Sequence, residues 1–318
     1  MSHHFRHTAS VSVGSIPISK HRSPVSGLSV VFVGLPSPLV NGYFVVATEA
    51  TDDKGLPHTL EHLVFLGSEE YPFRGFLDTL SNRCLARGTN AWTATDHTCY
   101  TVSTAGAQGF ASVLPVFAEH ILFPSLTSCG FTTEIHHVDG KGEDGGVVYC
   151  EMQGRENGAM DILIRHIQRA LFSGSGYSSE TGGLMQMLRT LTPEDIRKYH
   201  KDYYTPANLT LIITGPVDHA GTLASLMPLE AKLASHVPSS PAKRPWVDSP
   251  PVPPFTTTRE EVVEFPDEDE AVGTVYVCWR STEYGVRCAF LLSGFSVVTG
   301  SVPGTFYSLF VVFTKLTS

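Results

Sequence analysis

Seven prolines lie between Pro238 and Pro254, and that run limits the fold more than any other feature of this 318-residue chain. Proline lacks an amide hydrogen and fixes φ, so neither a helix interior nor a central strand can cross such a stretch. The chain is therefore read as a large unit at 1–237, a Pro/Ser-rich linker at 238–254 and the start of a second unit at 255–282. From 283 to 318 the composition shifts to Phe, Val, Ser and Gly without an amphipathic period, and this apolar tail is set apart.

Composition excludes several function classes. With 42% hydrophobic and 17% charged residues the chain can bury a core. Its 22 Lys and Arg face 31 Asp and Glu, and no basic run exceeds Lys243-Arg244, so it offers no stripe for nucleic acid. The six cysteines form no CxxC pair and no short regular spacing, which argues for reduced thiols rather than a zinc ribbon or disulfide scaffold. No stretch reaches the roughly 18 apolar residues of a membrane span. No acid precedes Glu49 although Arg6, Lys20 and Arg22 do, a weak presequence signature. Alternation over Val11 to Ile18 instead suggests a structured, strand-like start. The compartment expected is the cytoplasm, with the mitochondrion as the alternative.

The pattern along the chain mixes both periods. Leu28 to Val33 and Tyr43 to Ala47 read as a hairpin-like strand pair. Gly55-Leu56-Pro57 opens a helix through Leu60, Leu63 and Val64, and Phe76 to Ala86 gives a second. Asn90 to Ser103 alternates and is rich in Thr, Trp, Tyr and Val, as an edge or near-edge strand would be. Phe110 to Leu122 is helical, Gly130 to Gly146 a loop, and Glu151 opens a long helical stretch to Leu171. A helix from Pro193 to Tyr203 capped by Thr192 and a strand from Leu209 to Thr214 complete the first unit. Glu260 to Phe265 and Gly273 to Trp279 read as strands beyond the linker.

Chemistry concentrates in His58-Thr59-Leu60-Glu61-His62. Imidazoles at i and i+4 project from one helix face a turn apart and can meet a single metal ion. Glu61 lies beside such a metal, where a carboxylate can take a proton from water. The order His-x-x-Glu-His is the inverted zincin pattern. On this pentapeptide alone, a helix bearing two solvated histidines remains a competing reading.

Three blocks shift the balance: Gly55 to Ser68 with Tyr71-Pro72, Gly88-Thr-Asn-Ala-Trp-Thr93 with Thr98 and Tyr100, and Gly146-Val-Val-Tyr-Cys-Glu-Met-Gln-Gly154. Together they resemble the pitrilysin family of zinc metallopeptidases, peptidase family M16, and within it the presequence-protease-like branch. The resemblance runs to about Gly215. It implies an α+β sandwich of the LuxS and mitochondrial-processing-peptidase type, an antiparallel sheet covered by helices. Carried over, His58, His62 and Glu151 bind one Zn²⁺ and Glu61 is the general base. Asp144 or Glu143 would hydrogen-bond a ligand imidazole. Asn90, Ala91, Trp92 and Thr93 would form the edge strand to which a substrate peptide adds through its backbone. A plain core strand with Trp92 buried competes with that role, and His97, His136 and His137 are read as ordinary polar histidines.

The family implies an enzyme of two homologous halves closing on unfolded peptides, and the chain departs from that pattern near Glu283. A truncated or alternatively spliced product with weak or no activity is the expectation. Three readings follow: a zinc metalloendopeptidase, a non-catalytic peptide-binding or partner-regulating module associating with a partner half, and a structural-zinc protein, which Glu61 beside an open coordination site disfavours.

Overall fold

A computed structural model describes residues 5–235, 243–252, 259–266, 275–278, 296–298 and 309–313. Its main sheet is built from β1 (Arg6–Val13), β2 (Ile16–Arg22), β3 (Ser29–Val33), β4 (Leu39–Ala47), β5 (Ala86–Thr93), β6 (His97–Ala105) and β9 (Leu209–Thr214). The strand order is β1-β2-β3-β9-β4-β6-β5. Every neighbouring pair is antiparallel except β3 with β9. The small β7 (His137–Val138) and β8 (Asp144–Gly145) form a separate two-stranded ribbon.

Three of these strands correct the reading by alternation. The segments at 28–33 and 43–47 are strands but not a hairpin, because β9 inserts between them and pairs with both. The alternately buried Leu209, Leu211 and Ile213 make β9 a central strand, and its apolar face is covered only in the middle of the sheet. The hairpin at the start is instead β1 with β2, turning at Gly14 with φ +60°. Asn90 to Ser103 divides into β5 and β6, reversing where the Ala94 amide donates to the His97 carbonyl at 2.8 Å. As expected, β5 lies at the sheet edge.

Helices α1 (Leu56–Val64), α2 (Phe76–Arg83), α3 (Ala107–Leu122) and α4 (Ser128–Glu134) come between the strands. Next follow α5 (Val147–Glu156), α6 (Ala159–Leu171), α7 (Met185–Leu188) and α8 (Pro193–Tyr203). After β9 come α9 (His219–Ser225) and α10 (Met227–Ser235). The core lies between helices and sheet: Phe44 of β4 stacks on Phe117 of α3 with ring centroids 4.8 Å apart, and the hydroxyls of Tyr100 and Tyr204 meet at 2.9 Å. Gly42 of β4 leaves room for the Phe110 ring, which a Cβ there would meet at 2.7 Å.

Two helical boundaries differ from the pattern. The stretch read as a loop at 130–146 begins inside α4, which starts at Ser128 because the Thr127 side chain accepts from the Gly130 amide and caps it. The stretch from Glu151 to Leu171 is two helices, broken at Asn157 and at Gly158, which is extended at ψ 133°. Thr192 caps α8 as expected, in a reciprocal capping box with Asp195.

Part of the linker is docked: the Trp246 indole N–H donates to the Thr48 carbonyl at 2.8 Å, and Ser249 bonds Glu49. A second sheet, in the order β10-β13-β11-β12, is formed by β10 (Arg259–Val263), β11 (Val275–Cys278), β12 (Ser296–Val298) and β13 (Leu309–Phe313). The described strands on either side of residue 283 thus share one sheet. Leu163, Ile167 and Leu171 on one face of α6 pack against Val263 and Cys278 of this sheet.

His200 of α8 donates from Nε2 to the Ile121 carbonyl at 2.9 Å, and burial pushes its pKa down from 6.5 to about 4. The unfolded chain therefore binds a proton that the fold refuses, so stability is complete above about pH 6.5 and falls as pH drops from there through about 4. Urea titrations at pH 7.5 and 5 should show a smaller loss for His200→Gln, which keeps a donor to Ile121, than for the wild type.

Candidate metal centre

Helix α1 starts at Gly55, whose φ of +74° brings it against Gly182, where a Cβ would meet the carbonyl oxygen at 2.6 Å. Pro57 lies in the first turn, and Leu60, Leu63 and Val64 are buried in the core. That packing rotates His58 and His62 together onto the remaining face, with ring centroids 4.9 Å apart.

Helix α5 brings the third group. Gly146 precedes it with φ +125° and lies so close to the chain before β7 that a Cβ would come 2.3 Å from the Ile135 carbonyl oxygen. Val148, Tyr149 and Met152 are buried, which turns Glu151 outward toward α1. Glu151 is the fifth residue of α5, not its opening residue, so tertiary placement rather than a helix N-terminus accounts for its carboxylate.

The three side chains converge. Glu151 Oε1 lies 3.6 Å from His58 Nε2, and Oε2 lies 3.6 Å from His62 Nε2. Those distances are too long for direct hydrogen bonds. Ligand atoms held at about 2.0–2.2 Å around a tetrahedral cation lie roughly 3.3–3.6 Å from one another. The two nitrogens and the carboxylate therefore fit a shared divalent ion, and one ligand atom from each residue lies within 4.8 Å of the others. Burial, then the neighbouring His62, lowers the His58 pKa to about 4, which keeps its imidazole neutral as a ligand must be.

Glu61, 9% exposed, points to the same region, and the Thr93 hydroxyl donates to its Oε2 at 2.6 Å. Burial raises its pKa, opposed by the Thr93 hydrogen bond and by His62. Thr93 ends β5, so the edge strand and the candidate base meet at one point. On β5, Ala91 packs against the core, whereas Asn90 and Trp92 face solvent. Trp92 is 42% exposed and its indole N–H donates to His97 Nε2 at 3.1 Å, so the buried-core alternative for this side chain does not hold.

Asp144 does not reach either α1 histidine. Its carboxylate bonds His136 Nε2 at 2.7 Å, the Tyr149 hydroxyl at 3.2 Å and Arg189. Those contacts tie β8 to α5 and α7, and they pair His136 with an acid. Glu143 shapes the preceding turn: its carbonyl accepts from the Asp139 amide at 2.9 Å and its amide donates to Asp139 Oδ1 at 3.0 Å. The acid behind the histidines is Glu134, 5% exposed at the end of α4: Oε2 lies 3.7 Å from His62 Nδ1, and Oε1 accepts from Arg74 at 2.8 Å. Sequence reasoning missed it because residues 130–146 were read as a loop. The Thr127 cap was the available signal.

Comparison with known proteins defines the class of this domain, that of the M16 peptidases. Residues 47–145 match the family model described as insulinase, peptidase family M16, and residues 190–305 match that of the peptidase M16 inactive domain. An uncharacterised protein of Caenorhabditis elegans is 43% identical over 281 residues, 86% of this chain and 27% of that protein. The mitochondrial presequence protease of Schizosaccharomyces pombe is 32% identical over 187 residues, 56% of this chain and 19% of that protein. The crystal structure of pitrilysin superposes with a TM-score of 0.60 at 17% identity, covering 86% of this chain and 27% of pitrilysin. The chain belongs to peptidase family M16, the pitrilysin family. It spans about a quarter of the length of the first curated relatives it matches. The family match continues past both Gly215 and Glu283, where sequence reading ended it.

The approach of Gly146 to Ile135 generates a prediction. Gly146→Ala combines an unfavourable φ with a backbone collision, and it should destabilise the fold by about 1–3 kcal/mol. A denaturant midpoint that matches the wild type would show that the two segments separate without cost.

Proposed function

We propose that this chain carries the zinc-binding, catalytic portion of an M16 metalloendopeptidase acting on peptides or unfolded polypeptides. The observation that carries the reading is the convergence of His58 Nε2, His62 Nε2 and both Glu151 oxygens beside Glu61. Two nitrogens and one carboxylate suit Zn²⁺ and leave a coordination position open, as hydrolytic zinc requires.

His58, His62 and Glu151 would hold one Zn²⁺, which when bound polarises the scissile carbonyl and acidifies water. Glu61 would take a proton from the attacking water and return it to the departing amine. The Thr93 hydroxyl donates to its Oε2 and so orients the carboxylate. Glu134 lies on the Nδ1 side of His62, where a carboxylate favours Nδ1–H and leaves Nε2 free to bind metal. The edge of β5 at Asn90, Ala91, Trp92 and Thr93 takes the peptide as an added strand, so recognition reads an extended backbone before side chains.

A second reading is a non-catalytic module that binds peptide and associates with a partner half. It is favoured by the match of residues 190–305 to a domain described as inactive. The presequence proteases among the relatives are mitochondrial by name, which favours that compartment over the cytoplasm. No helix among the described residues is long and apolar enough to cross a membrane.

Zinc content measured alongside cleavage of an unstructured peptide separates the readings. Glu61→Gln should keep its zinc and lose turnover by about 10²–10⁴-fold, and His58→Ala should lose the metal. Zinc with no Glu61-dependent cleavage would leave the binding-module reading, whereas equal zinc in wild type and His58→Ala would remove His58 from the site.

A further inference from the structure

Beside Glu61 a cleft of about 380 Å³ opens between α1, α2, α4 and the helix-facing side of β5. It is at the small end of ligand-sized cavities, enough for one long side chain. Phe65 and Leu66 line one wall and Ala91 another, while Asp78 and Glu134 supply carboxylates. Asp78 is exposed and holds the Thr89 hydroxyl at 2.6 Å through Oδ1. The cleft also contains a guanidinium of this chain: Arg74, with its side chain 67% exposed, donates to the buried Glu134 at 2.8 Å. Glu61, Asp78 and Glu134 against Arg74 leave the lining net negative.

The register of β5 connects this cleft to a bound peptide. Thr89, Ala91 and Thr93 face the helices, since Thr89 bonds α2, Ala91 packs on the core and Thr93 bonds Glu61 of α1. Directly opposed residues of neighbouring strands point to the same face of a sheet. In a peptide added to β5, the residue level with Thr93 therefore faces Glu61, and the residue two positions away, level with Ala91, faces the cleft.

We propose that this cleft is a subsite selecting a lysine or arginine of the peptide at the position level with Ala91. The aliphatic stem would lie on Phe65 and Leu66 while the charged head joins Asp78 and Glu134, taking the place Arg74 now holds. The position of the subsite rests on the peptidase reading; its preference for a cation rests on the lining alone.

The test uses the full chain and extended peptides that differ only at this position, carrying Lys, Leu or Glu. Cut sites mapped by mass spectrometry fix the register, kcat/KM gives selectivity in cleavage, and anisotropy with Glu61→Gln protein gives selectivity in binding. The wild type should favour Lys over Glu by about tenfold at low salt, a size that a few partly exposed charges can supply. Asp78→Asn should lower that ratio to about threefold, and Asp78→Lys should abolish or invert it. Cleavage without a Lys preference, or a preference unmoved in Asp78→Lys, overturns the subsite and leaves the peptidase reading intact. Lys-selective binding lost in Asp78→Lys but without Glu61-dependent cleavage overturns the peptidase reading and keeps the subsite. Neither cleavage nor selective binding overturns both.

Discussion

The structure depends on one close approach, that of α5 to the chain around Ile135, with only Gly146 between them. A side chain at this point would hold the two segments apart, and everything placed by α5 would move with it. Tyr149 then donates its amide to the Ile135 carbonyl at 3.2 Å, so the contact that excludes a Cβ also carries a backbone hydrogen bond. Ile135 immediately follows Glu134, and Glu151 is one helical turn into α5. The same junction therefore sets both the carboxylate that faces the His Nε2 atoms and the one behind His62.

Much of the centre was legible because its signals are local. The i, i+4 spacing of His58 and His62 needs only a helix, and Pro57 with the apolar Leu60, Leu63 and Val64 supplies one. Glu151 was reached through its block of flanking residues, not through its helix position, which the sequence placed wrongly. What stayed hidden is tertiary. Nothing local shows that β9, far along the chain, inserts between β3 and β4, since an apolar run pairs equally well with either alone. Asp144 precedes Glu151 closely in sequence, yet His136 and Arg189 hold its carboxylate. Glu134 comes beside His62 only because α4 packs against α1.

The edge position of β5 carries a different kind of constraint. An open strand edge exposes unpaired backbone groups, a liability that folds usually blunt with charge or cover. Here its outward face presents Asn90 and Trp92, while its inward face is tied to α1 and α2 by the Thr93 and Thr89 hydroxyls. Anchoring of one face fixes the height and twist of the free edge relative to Glu61. A peptide that paired with that edge would arrive at a level with respect to the carboxylate that its backbone alone could set.

Electrostatics ties these parts together. Glu61, Glu134 and Glu151 bring three carboxylates around two imidazoles, two of the three largely removed from water, with Arg74 the cation in contact with Glu134. Carboxylates gathered in that way repel one another and lose hydration, a cost that a divalent cation among them offsets. His58, whose pKa lies near 4, cannot supply that positive charge near neutral pH. A divalent cation that bound the folded cluster and found no equivalent in the unfolded chain would therefore stabilise the fold in proportion to its occupancy.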